Sequence, residues 1–122
     1  PFFPFYENIR PNQPLAQAMR AHAEAVGLHV EEPPCNQQGP QASTDFGNVS
    51  QAVPSFALSF AVSEEPVAFH TPSMTQVAKS DLALNRALAA AQVLALTTCD
   101  VLTNPELLNA ALADHAARSG TV

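Results

Sequence analysis

The sequence predicts an α/β fold that is rich in helix and poor in strands. Two observations carry this reading. Between Ser55 and Ser63, the residues Phe56, Leu58, Phe60 and Val62 alternate with small side chains, the period-two pattern of a strand with one large apolar face. Beyond it, Val77, Leu84, Leu88, Ala91, Ala95 and Leu102 recur at helical spacing in an alanine-rich run, with Lys79 and Arg86 on another side. The strand at about 55–62 is expected to lie beneath a single long helix over about 73–100. The small residues on its second face leave room for that helix.

The other elements follow from local signals. Residues 1–14 hold four prolines and four aromatics, Phe2, Phe3, Phe5 and Tyr6, and predict an extended entry segment whose rings pack on another surface. Asn12 is an N-cap candidate with Pro14 in the first turn of a helix bearing Leu15, Met19 and Val26 on one face. Gly27 is placed to end it. Leu28 to Val30 reads as a short strand. The stretch 31–43, with three prolines and a glycine, reads as loop. Ser43 or Thr44 then caps a helical turn that Pro54 ends. Residues 93–96 are apolar all round and are expected to be buried. Asn104 caps a last helix that opens at Pro105 and runs to about residue 118. One good strand and one short one do not make a stable sheet.

Composition narrows the function classes. The chain has 122 residues, 47% of them hydrophobic, enough for one small domain with a core. Its net charge of −6 with 5 basic residues speaks against nucleic acid and anionic membrane surfaces as partners. No uninterrupted apolar stretch approaches the roughly 18 residues of a membrane span, and no signal peptide is evident, so a cytoplasmic location is expected. Cys35 and Cys99 form no CxxC pair and are read as reduced thiols, with a disulfide or metal role as the alternative. The sequence begins at Pro1 rather than Met, and with so few strands it is expected to be part of a longer protein.

Few residues carry chemistry. His70 follows an apolar segment and precedes a helix start, the kind of junction where α/β proteins bind ligands. It reads either as a metal ligand or as a histidine that merely ends a strand. His22, His29, His115, Asp45, Cys35 and Cys99 are not at close ligand spacing to it. Asp45 sits in "STDFGN", which is ordinary turn chemistry or a substrate loop in which Thr44 and the amides near Gly47 face a substrate oxygen. Glu64 and Glu65 read as a solvated turn. GxSxG, phosphate-loop and HExxH motifs are absent from the sequence.

Three stretches together resemble one family. "STDFGNVSQAVPSF" is similar to a Gly-Ser-Thr-Asp-x-Gly-Asn-Val-Ser-x-x-Val-Pro block of the zinc aminoacylase and carboxypeptidase superfamily, with aminobenzoyl-glutamate hydrolase and aminoacylase-like amidohydrolases as the nearest branch. "FHTPSMTQVAKSDLALNRALAAAQVLALTTCDVLTNPELLNAAL" resembles its C-terminal His-Thr block and long helix. "YENIRPNQPLAQAMRAHAEAVGL" resembles the segment where the chain re-enters the catalytic domain after a lid domain.

The resemblance implies that residues 1–122 are the C-terminal portion of a metallo-amidohydrolase or metallopeptidase catalytic domain, lacking the N-terminal half and the lid. It implies a hydrolase acting on an N-acyl amino acid or dipeptide-like amide bond. The complete family site holds two zinc ions, with His70 as one ligand. Thr44, Asp45 and Gly47 would border the substrate. Ala42 departs from the family's glycine and is expected to crowd a backbone contact. The His-x-Asp motif, the bridging Asp and the catalytic Glu-Glu pair have no counterpart here, so no catalytic residue is assigned and the chain alone is expected to be inactive. Its expected partner is the missing half or another chain, and a homo-oligomer is compatible with this. The alternative is a non-catalytic remnant that binds a partner chain through an unpaired sheet edge.

Overall fold

The computed structural model describes residues 5–30 and 44–119. They form five helices: α1 (Gln13–Ala25), α2 (Phe46–Ala52), α3 (Pro72–Ala78), α4 (Asp81–Thr103) and α5 (Pro105–Ser119). The dominant packing is α1 on α4, supported by α5 on both.

Helix α1 is delimited as its sequence requires. The Asn12 side chain accepts from the Leu15 amide, and Pro14 lies in the first turn. At the other end Gly27 adopts φ +81°, its amide donates to the Glu24 carbonyl at 3.0 Å, and the Leu28 amide donates to Ala23 at 2.8 Å. This is a Schellman ending, which needs a residue that tolerates positive φ. Met19 and Ala23 are buried, and with Val93 they make the core, flanked by Val26, Leu28, Val30, Phe56 and Leu58.

The long helix expected over 73–100 is two helices. Its expected first turns belong to α3, and α4 begins afresh at Asp81, where the Ser80 hydroxyl accepts from the Ala83 amide. A serine cap followed by an aspartate at the helix start favours a new beginning over continuation. The interval 81–103, where the alanine-rich run lies, is unbroken.

The face that α4 buries also differs from the expected one. Ala83, Ala90, Val93 and Thr97 point inward. Leu84, Leu88 and Leu102, together with Ala91 and Ala95, lie exposed, Leu102 at 78%. Leu94 and Leu96 are exposed as well, so of the run 93–96 only Val93 is buried among the apolar side chains expected there. Small residues on the inner face let α1 approach closely, which large leucines would prevent. By length and composition alone α4 is also apolar enough to cross a membrane. Within this fold it is one wall of the helical corner.

Residues 55–62 pair with no described strand. The alternation nevertheless has its expected consequence at the start of the segment, where Phe56 and Leu58 pack on the core while Ala57 and Ser59 face out. Leu28 and Val30 behave in the same way around exposed His29. Neither segment has a partner strand among the described residues, so no ladder forms.

Candidate functional site

The turn that carries Thr44, Asp45 and Gly47 opens α2. The Thr44 hydroxyl accepts from the Phe46 amide at 3.2 Å, while Asp45 occupies the cap position without a side-chain bond to the helix. Of the two expected caps, Ser43 lies outside the described residues, as do Ala42 and Cys35. Thr44 and Asp45 are exposed and Gly47 is buried.

Gly47 has a packing reason to be glycine. A Cβ there would collide with the Glu7 carbonyl, because the entry segment lies directly on α2. Three further bonds hold that contact: Asn48 Nδ2 to the Phe5 carbonyl, Gln51 Nε2 to the Asn8 carbonyl, and the Arg10 amide to Ser50 Oγ. Ser50 is fully buried and donates in turn to the Gly47 carbonyl at 2.7 Å. The entry aromatics are only partly accounted for. Phe5 is 87% exposed and Tyr6 is also exposed, while Phe2 and Phe3 lie outside the described residues.

His70 stands at the other end of the 53–71 connection, just before α3. It is exposed, and among the described residues it is the non-glycine residue with positive φ, at 61°. Only a few per cent of non-glycine residues take this conformation, and it often marks a functional turn. Around it, Phe69, Thr71, Pro72 and Met74 line an open depression. The ring makes no hydrogen bond to a described residue. An exposed imidazole has the chemistry of a single metal ligand. A metal centre needs about three protein ligands, and among the described residues no cluster of three His, Cys, Asp or Glu side chains exists. The described residues alone therefore do not make a complete metal site.

The two halves of the candidate site are not brought into one cavity. Phe46, between Asp45 and Gly47, lines a separate apolar groove of about 320 Å³ with Leu15, Met19, Phe56 and Leu94. No hydrogen bond links the Thr44 turn to His70 among the described residues.

Sequence reasoning missed two polar connections. His22 is half-buried, and its Nε2 lies 2.6 Å from Asp100 Oδ2, which joins α1 to α4. Arg86 ties the 61–64 stretch to α4. It donates to the carbonyls of Ala61 and Ser63 and to Glu64 Oε1 at 2.8 Å, so Glu64 is anchored rather than merely solvated. The i to i+78 separation of the first pair left no local signal.

Over 103 residues, 84% of its length, the chain is 36% identical to a Xaa-Arg dipeptidase of Homo sapiens. It is 35% identical over the same span to a Xaa-Arg dipeptidase of Mus musculus. The chain spans about a quarter of the length of these curated relatives, 23% and 24% respectively. No protein-family model matches the chain. No solved structure matches it. Both relatives are named for hydrolysis of a peptide bond, so the similarity supports a peptidase or amide-hydrolase relationship in general.

Proposed function

We propose that the 122 residues are the C-terminal portion of the catalytic domain of a zinc-dependent amidohydrolase or dipeptidase. The observation that carries this is the 36% identity over 84% of the chain to a named dipeptidase. In this reading the substrate is an N-acyl amino acid or a dipeptide. An Xaa-Arg dipeptide is the first to try, since that is what the relatives are named for. His70 is one ligand of a two-zinc centre whose other ligands lie outside these residues. Bound zinc would polarise the amide carbonyl and activate water. Thr44 and Asp45 are exposed on a turn suited to face the substrate, whereas Gly47 serves close packing there. The general base lies in an upstream half, so the chain by itself is inactive. A cytoplasmic location belongs to the same reading.

The outer face of α4 supports the idea of a portion. Leu84 and Leu88, with Ala91 and Ala95, form an exposed apolar surface of the kind that marks an interaction site. A non-catalytic chain that covers this face with a partner is the second reading, favoured by the same surface.

The test compares two proteins, the 122-residue chain and a polypeptide extended by its upstream half. Release of arginine from Xaa-Arg dipeptides, and of amino acids from N-acyl amino acids, is measured with zinc and after chelation. The first reading expects chelator-sensitive turnover in the extended protein and none in the chain. Turnover by the isolated chain, or an extended protein that is inert towards every amide while still binding a partner, would reject it.

A further inference from the structure

His70 is held in a conformation that its side chain disfavours, and the structure contains the means of holding it. Residues 68–71 reverse the chain direction, with Phe69 and His70 at the centre of the turn. The second central position of a turn with positive φ is ordinarily taken by glycine or asparagine, because a Cβ crowds the backbone there. Here it is a histidine at φ 61°.

The Thr71 hydroxyl donates to the Ala68 carbonyl at 2.8 Å and accepts from the Met74 amide at 3.2 Å. One oxygen thus closes the turn across Phe69 and His70 and caps α3. The Ala68 carbonyl is the acceptor that a backbone amide would use in an ordinary turn. Since left-handed backbone at a residue with a Cβ persists only where its surroundings over-determine it, a clamp on both flanks is required.

We propose that Thr71 is a positioning residue: its hydroxyl locks the 68–71 turn so that His70 is kept in the left-handed conformation, which fixes the direction in which the imidazole leaves the backbone. The importance of that direction for metal binding rests on the function proposed above, whereas the lock itself does not. Free of the lock, His70 relaxes to negative φ and its ring swings away from its present position over the depression beside Met74.

The experiment is NMR of the isotopically labelled 122-residue chain, wild type and variants. A left-handed residue shows a strong intraresidue amide-to-Hα contact and characteristic Cα and Cβ shifts. Wild type is expected to show both at His70. Thr71→Val, which keeps shape and loses the hydroxyl, is expected to lose both, and Thr71→Ser to retain them. A second comparison guards against simple loss of the α3 cap. In a His70→Gly background, where positive φ carries no strain to be released, Thr71→Val should lower the melting temperature more than it does in the wild type.

A Thr71→Val chain that keeps the left-handed signature at His70 would overturn the proposal. So would equal losses of melting temperature in the two backgrounds. These outcomes are separate from the fate of the functional reading. An extended protein without amide-hydrolase activity leaves the His70 signature to be decided by Thr71 alone, and a lost signature leaves turnover by that protein still to be measured.

Discussion

The corner where α1, α4 and α5 meet and the outer face of α4 contain similar residues and behave in opposite ways. At the corner the packing is close and tied by polar groups. Asn12 is fully buried and serves three elements: Oδ1 accepts from the Leu15 amide, Nδ2 donates to the Ala111 carbonyl at 2.8 Å and to Asp114 Oδ2, and its own amide donates to the Ser55 carbonyl. On the outer face the leucines are larger than anything α4 buries, and they touch little. Burial on α4 therefore does not follow the size of the apolar side chain. Of the largest fully buried side chains among the described residues, Val93, Asn12 and Ser50, two are polar, and both are hydrogen-bonded.

The sharpest way to break this contrast is Asn12→Ala. It removes a helix cap and leaves the buried Ala111 carbonyl short of a donor, so a loss of about 2–4 kcal/mol is expected in urea unfolding. A loss below about 1 kcal/mol would mean that the corner is not held as described.

Gly47→Ala comes next. The added methyl meets backbone rather than a flexible side chain, so residues 5–10 must lift from α2 and release the bonds to Asn48, Ser50 and Gln51. The expected cost is about 1–3 kcal/mol, accompanied by faster amide exchange in residues 5–10. An unchanged exchange pattern would show that the entry segment is not seated there.

The smallest effect belongs to the outer face. Leu88 is 65% exposed, and Leu88→Ser is expected to change the stability of the 122-residue chain by no more than about 0.5 kcal/mol. In a longer protein that covers this face, the same substitution should be clearly destabilising. Equal and negligible effects in both would show that the face stays open.

What could be read from the sequence divides along the same line. Local signals were legible: the Asn12 cap, the Gly27 ending and Asn104 with Pro105 lie where short-range chemistry puts them, while the helical turn expected after Ser43 or Thr44 has Asp45 at its cap position. The serine and aspartate at Ser80 and Asp81 also carried a start signal, which the apolar periodicity overrode. Tertiary choices were not legible. Periodicity finds an apolar stripe on α4, but it cannot say which stripe the chain's own helices will cover, and close approach favoured the alanines. The strand at 55–62 needs a partner to become a ladder, and nothing in those residues specifies one.

At the candidate site, the position of His70 before a helix start was readable from its proline and serine neighbours. Its left-handed backbone was not, because that depends on the Thr71 clamp, nor was the packing of Gly47 against a residue 40 positions away.

We propose that His70, exposed and outside the packed corner, serves chemistry rather than stability. The most direct measurement is His70→Ala in the extended protein, scored for bound zinc, for amide hydrolysis and for melting temperature together. The account predicts loss of part of the zinc and loss of hydrolysis, with the melting temperature of the metal-free protein unchanged. Full activity with a complete complement of zinc in His70→Ala would contradict it.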